Sequence, residues 1–335
     1  MFIINNITKN KGVINMNNLR KIGLSALAGS LATFSVNAAD MSVSGAASIT
    51  LDDTNRGKAD RGNGYYMGDS VKFNASGETD NGIGVAVYYE IDAGALDDYN
   101  VKLSGDFGTI TFDGHGGSSA MGAVDDKTPN AYEEAWDIVD TDGTATSGSP
   151  TVINGSGGGN NMFIYTSPSV GGATLTAAYR QAPAVASESM TDFAVSLSPE
   201  AVDGLTIGAA VSNNTIGAAI DSDENTMYAI YATGGFTLGV QASDLDHTTA
   251  NSDQESIAYG ITYAVNDDLS IGYSYHELDF ESSSLSDQES TGISASYTMG
   301  GMTLAGATNE VDNMQGATSA ASDVEGYEFT LSFAF

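Results

Sequence analysis

Tyr327-Glu328-Phe329-Thr330-Leu331-Ser332-Phe333-Ala334-Phe335, the last nine residues, decide the fold. Every second residue is aromatic or large and apolar, and those between are small or polar. Period-two alternation describes a strand with one greasy and one polar face. Terminal residues of soluble domains usually fray into polar tails. A chain that ends inside an amphipathic strand needs that strand hydrogen-bonded to its last residue. Phe329, Leu331, Phe333 and Phe335 share the apolar face of that strand.

Composition agrees with strands. Gly is abundant at 40 residues, Pro scarce at 5, and 16 Tyr and 12 Phe are interleaved with Val, Leu, Ile, Ser and Thr. Cys is absent, which excludes disulfide frameworks, thiolate zinc sites and cysteine nucleophiles.

Near the start, Asn17-Asn18-Leu19-Arg20-Lys21 is followed by an apolar, small-residue run from Ile22 to Val36 and by Asn37-Ala38. This is the pattern of a secretory signal peptide cleaved after about Ala38. Residues 1–38 are therefore expected to be a removed leader, with Met16 a better start than Met1, and residues 39–335 the working domain. The run is too short to span a bilayer as a helix, and no later segment is long enough. If the remainder sits in a membrane, it does so as a barrel.

Removing that leader leaves seven basic residues, Arg56, Lys58, Arg61, Lys72, Lys102, Lys127 and Arg180, against 43 acids. Such a surface repels nucleic acid, and that class of partner is excluded.

Alternating segments recur along residues 39–335, divided by turn signals such as Thr79-Asp80-Asn81-Gly82, Gly105-Asp106-Phe107-Gly108, Thr233-Gly234-Gly235 and Met299-Gly300-Gly301. About 16 strands result. Short turns alternate with longer polar connections near 52–68, 114–160, 213–225, 243–255, 277–290 and 308–325; those at 93–98 and 182–190 are shorter. Short turns on one rim and long loops on the other mark an antiparallel transmembrane β-barrel with both termini on the short-turn side. Closure satisfies every backbone N–H and C=O where lipid offers no partner, so the strand near Met41–Leu51 must pair with the terminal strand.

The local runs Ser42-Val43-Ser44-Gly45, Asn74-Ala75-Ser76-Gly77-Glu78-Thr79-Asp80-Asn81-Gly82 and Leu103-Ser104-Gly105-Asp106-Phe107-Gly108-Thr109-Ile110, with the terminal Phe335, resemble the alphaproteobacterial general porins related to the Rhodobacter-type trimeric porin. The resemblance spans essentially all of 39–335. It implies a 16-stranded barrel, a homotrimer in the outer membrane of a Gram-negative cell, and passive diffusion of small hydrophilic solutes and ions. It also implies that the long third loop folds into the pore, with its acids facing basic residues on the wall. Outer-membrane assembly is expected to read the same terminal strand.

The longest connection, 114–160, is third among the long ones. It carries Asp125, Asp126, Glu133, Glu134, Asp137, Asp140 and Asp142 and the sole tryptophan, Trp136. Asn130–Val139 is expected to form a short helix packing Trp136 on the wall. Lys72, Lys102 and Arg180 each stand on the polar face of a strand, opposite Val71, Val101 and Tyr179. Facing lipid at midplane, each cation would cost about 2–4 kcal/mol; facing the lumen, little. Glu90 and Asp92 share the lumenal parity of their strand. These residues form the expected constriction, and their charge sets ion selectivity, with weak cation preference expected from the acidic excess. Arg56, Lys58 and Arg61 lie in the first long loop, within reach of the mouth or of lipopolysaccharide phosphates.

Asp125-Asp126 and Asp140-x-Asp142 offer oxygen ligands suited to Ca²⁺, without EF-hand spacing; no other cofactor is expected. His115, His247 and His276 lie in or near different loops and no Gly-x-Ser-x-Gly elbow occurs, so no catalytic activity is expected. A secreted acidic adhesin would show a fixed short repeat, which is absent. A substrate-specific channel shares the strand pattern and differs only in its lumen.

Overall fold

The structure, a computed structural model, describes residues 40–54, 64–124, 126–137, 150–153, 160–182, 188–216, 220–319 and 322–335. The leader, Arg56, Lys58, Arg61, Asp125, Asp140 and Asp142 lie outside the described residues.

Sixteen strands run in chain order: β1 Asp40–Thr54, β2 Tyr65–Glu78, β3 Gly84–Asp92, β4 Ala95–Gly105, β5 Gly108–His115, β6 Met162–Thr166, β7 Ala173–Arg180, β8 Glu188–Leu197, β9 Leu205–Ile216, β10 Ile220–Thr233, β11 Phe236–His247, β12 Gln254–Ala264, β13 Leu269–Phe280, β14 Gln288–Met299, β15 Met302–Asp312 and β16 Val324–Ala334. Each pairs with its chain neighbour and β16 returns to β1, giving one closed barrel. The seam registers Ala46 against Ala334 and Leu51 against Phe329. It extends to the final residue: Gly45 N donates to Phe335 O at 2.8 Å and Phe335 N to Gly45 O at 3.0 Å. No helix among the described residues is long and apolar enough to cross a membrane.

The two faces separate as alternation requires. Ile49, Phe73, Leu103, Phe193, Val240, Tyr259, Ile293, Leu304 and Phe329 are exposed, while their neighbours Thr50, Gln241, Ser243, Ala258, Ser294, Ala305 and Thr330 are buried. In a closed barrel the exposed apolar face is the lipid face. The buried polar face is the lumen, covered where a loop lies on it.

Strands are longer, and long connections shorter, than the sequence pattern implies. β9 and β10 reach Ile216 and Ile220, where the pattern places a connection over 213–225, and β3 and β4 join through the turn Ala93-Gly94 instead of 93–98. The extensions carry Asn213, Asn214, Asp221 and Asp223. Above the bilayer both faces meet water or protein, so no apolar alternation marks them. Ladder hydrogen bonds continue regardless, as in Asp223↔Asn213.

Those extensions place acids opposite acids on the outer face. Asp223 faces Asp246, Asp244 faces Glu255, Glu255 faces Asp279, Glu277 faces Glu289, Glu289 faces Asp312, and Glu310 faces Glu325. No Lys or Arg follows Arg180 in the sequence.

Candidate functional site: the loop in the pore

The connection between β5 and β6 enters the barrel and lies along its inner wall. Its first part is apolar. Ala120, Met121 and Val124 join Met162, Ala178, Met190, Ala194, Ala210 and Tyr228 in one buried cluster from β6 to β10. Met121 N donates to Asp192 Oδ2 at 2.8 Å, which places a buried carboxylate on a loop amide. From there the loop crosses to the far wall. Lys127 N donates to Gln241 Oε1 of β11 at 2.8 Å, and Ala131 N to Ser294 Oγ of β14 at 3.0 Å. Asn309 Nδ2 of β15 donates to the carbonyls of Glu134 at 2.8 Å and Asp137 at 3.3 Å. Tyr132 donates its hydroxyl to Glu328 of β16, 2.8 Å from Thr330 Oγ1. On the return limb, Thr151 N donates to Gln288 Oε1 at 3.0 Å and Gln288 Nε2 to Thr151 O at 2.9 Å. Buried loop amides and carbonyls need such partners, and the lumenal face of the strands supplies them.

Small wall residues make room. Gly239, Gly260, Ser274, Gly292 and Asn309 stand opposite one another in a single row across β11 to β15. A β-carbon at Gly239 or Gly260 would collide with Pro129, and one at Gly292 would lie 3.0 Å from Ala135 Cα. Glycine within a strand commonly marks close approach of another backbone.

Residues 130–137 form turns, and the short helix expected over Asn130–Val139 is absent among the described residues. Ile138 and Val139 lie outside them. The turns are held by side chains: Asn130 Nδ2 donates to Glu134 Oε1, and Glu134 N to Asp137 Oδ2 at 3.2 Å. Asn and Asp compete with helical hydrogen bonding in this way. Trp136 does reach the wall, its ring 4.8 Å from that of buried His276 on β13.

The loop acids converge. Carboxylate oxygens of Glu133, Glu134 and Asp137 lie within 4.8 Å of one another, and Asp126 adjoins Glu134. Burial first, then the Asp137 and Glu328 charges, push the Glu133 carboxyl up to about 8. Burial first, then Glu134, push Asp137 up to about 7. Burial also raises Glu134. Asp137 keeps one side exposed to the lumen; the surrounding wall and loop still displace most of its water.

The expected wall cations occupy other strands. Lys72 on β2 lies 3.4 Å from Glu90 Oε1 on β3, directly opposite in register. Glu90 is buried and accepts the Tyr88 hydroxyl. The Lys72 partner found is thus a wall acid, where the family resemblance implies a loop acid. Lys102 on β4 is exposed and stands opposite Ala86 and Thr111. Arg180 closes β7, half-buried, in register with Met162 and Met190. Asp92 is exposed at the end of β3, beside the Ala93-Gly94 turn. Asp192, Gln241, His276, Gln288, Asn309 and Glu328 are site residues that sequence reasoning misses. Lumenal parity marks each as inward, but nothing in the sequence says that a loop would reach them.

The sequence model of the Gram-negative porin family matches residues 23–316. The chain belongs to the Gram-negative porin family. No curated protein sequence matches this porin. Its fold is similar to that of OmpT from Vibrio cholerae, at TM-score 0.68 and 12% identity over 90% of this chain and 99% of that one. It is likewise similar to an anion-selective porin from Comamonas acidovorans, at TM-score 0.67 and 15% identity over 89% and 100%. A mutant porin of Rh. blastica matches at TM-score 0.59 and 16% identity over 88% and 100%. The porin assignment makes the outer membrane this protein's location and a water-filled pore its purpose.

Proposed function

We propose that this porin is a general diffusion channel for small hydrophilic solutes and ions, weakly cation-selective, working as a homotrimer after loss of a signal peptide near Ala38. The observation that carries the reading is the β5–β6 loop seated on the inner wall with Glu133, Glu134 and Asp137 gathered on it. A loop across the lumen narrows the pore without closing it, and a narrow polar passage sorts solutes by size and charge. The excess of acids makes the field over the pore negative. Lys72, Lys102 and Arg180 are the wall cations of the constriction in this reading, with Glu90 and Asp92 beside them.

The outward acids above the apolar band would lie among lipopolysaccharide phosphates. Like charges there repel unless counter-ions screen them.

Planar-bilayer recording of the purified trimer in a salt gradient tests the reading. Ohmic conductance with a reversal potential of cationic sign supports it; a clear anion preference refutes the selectivity. Block of conductance by one sugar or acid at low concentration would replace general diffusion by a substrate-specific channel.

A further inference from the structure

At the loop-side end of β4 and β5, outside the constriction, one imidazole and two carboxylates point at a common spot. His115 Nδ1 lies 3.8 Å from Asp97 Oδ1 and 3.7 Å from Asp98 Oδ1. The three donor atoms fall within 4.8 Å of one another. Both imidazole distances are too long for a hydrogen bond, and Nδ1 is itself shielded from solvent and has no hydrogen-bond partner. An imidazole nitrogen turned away from water toward two carboxylates, yet bonded to neither, is the arrangement a bridging cation resolves.

The local backbone holds these groups in place. Between Tyr99 and Asn100 the β4–β5 register shifts, so that Tyr99 faces His115 while Asn100 faces Asp113 and Gly114 is the extra residue. Bulges of this kind re-aim side chains. The His115 ring stacks on Tyr99 at 6.4 Å and 15°, and Tyr99 on Tyr89 at 6.0 Å and 16°. Gly116 follows with φ of +75°, and a β-carbon there would collide with the Asp98 carboxylate. The carboxylate therefore occupies space that only glycine leaves open.

We propose that Asp97, Asp98 and His115 bind a divalent transition cation of the zinc class. Zinc takes histidine nitrogen and carboxylate oxygen at about 2.0–2.2 Å, which sets tetrahedral donors about 3.4 Å apart. The two imidazole–carboxylate distances, 3.8 and 3.7 Å, close to that value with side-chain shifts of a few tenths of an ångström. One nitrogen donor disfavours Ca²⁺ and Mg²⁺, which prefer all-oxygen shells. The side chains of His115, Asp97 and Asp98 are 45%, 44% and 33% exposed, so the cation enters from solvent and keeps water as its remaining ligand. Because His115 is the last strand residue before the pore loop, the bound ion ties the loop's stem to β4.

Equilibrium dialysis of the purified, folded full-length porin against Zn²⁺, with atomic emission for stoichiometry and Co²⁺ absorption for coordination, tests this. The expected result is one cation per chain, with His115→Ala and Asp98→Asn each weakening binding by at least about tenfold. The double variant Glu133→Gln/Asp137→Asn, which alters the loop cluster, keeps wild-type affinity. Heat-modifiable migration of each variant confirms a folded barrel, and Asp97→Asn substitutes for any that fails. Wild-type Zn²⁺ affinity in His115→Ala, equal competition by Ca²⁺, or binding lost only in the loop double variant would overturn the proposal.

Discussion

A β-carbon on Gly272 would stand 2.8 Å from the amide nitrogen of Ala131, the same amide that donates to Ser294 at 3.0 Å. The glycine is thus part of the seat on which the pore loop rests. In Gly272→Val the loop backbone has to move and that hydrogen bond is lost. Single-channel conductance is expected to rise and its distribution to broaden. Trp136, the sole tryptophan, is expected to shift its emission to the red as it leaves His276. Unchanged conductance and emission would show that the loop does not depend on this contact.

Lys72 and Glu90 form a wall pair with unequal burial, the side chains 42% and 11% exposed. Lys72→Met removes a lumenal cation and is expected to move the reversal potential toward cations; Glu90→Gln moves it the other way. The double variant should lie near wild type, because the net lumenal charge is restored. A partly exposed pair couples by at most about 1 kcal/mol, so thermal unfolding of the double variant should differ little from the sum of the singles.

The loop acids predict a pH dependence of selectivity. Their folded values lie above the ordinary 4.5 and 3.8, reaching about 8 for Glu133 and about 7 for Asp137. A raised carboxyl value means that the folded state favours the neutral form. Seating of the loop is therefore strongest below about pH 4 and is weakened progressively as pH rises toward 8. Negative charge appears at the constriction over the upper part of that window. The cation-to-anion permeability ratio should rise between about pH 5 and 9, and Glu133→Gln should flatten the rise. A ratio independent of pH in the wild type would count against the acids lining the narrow zone.

The outer acids predict a stability gain from neutralisation. Glu255 faces Asp244 on one side and Asp279 on the other. Like charges directly opposed across strands cost roughly 0.2–1 kcal/mol per pair. Glu255→Gln is expected to raise the midpoint of thermal unfolding in low salt with chelator present, and the gain should shrink in high salt or added Mg²⁺. A loss of stability would mean that Glu255 makes a favourable contact that outweighs both repulsions.

Strand identity was legible wherever lipid lies on one side and lumen on the other. Val85, Val87 and Tyr89 share one face of β3 for that reason. Strand ends were less legible: at Asn213, Asn214, Asp221 and Asp223 both faces carry polar residues, so the apolar/polar contrast vanishes while the ladder continues. At the site, the loop's length and acids stood out, but its seat did not. Gly239, Gly260 and Gly292 are far apart in the chain and ordinary singly; they form a row only because strand register aligns them. The helix expected around Trp136 gave way to turns because Asn130 and Asp137 bond within the loop instead.

The sequence by itself determined the barrel, its even strand number and the face each side chain takes. Those depend on period-two alternation and on lipid's refusal to bond a backbone group, both local requirements. Only the tertiary structure decided where the pore loop lies, that Lys72 meets Glu90, and that Asp97, Asp98 and His115 converge. Those follow from register and from a loop folding back on distant strands, and contacts between residues far apart in the chain leave no periodic trace in it.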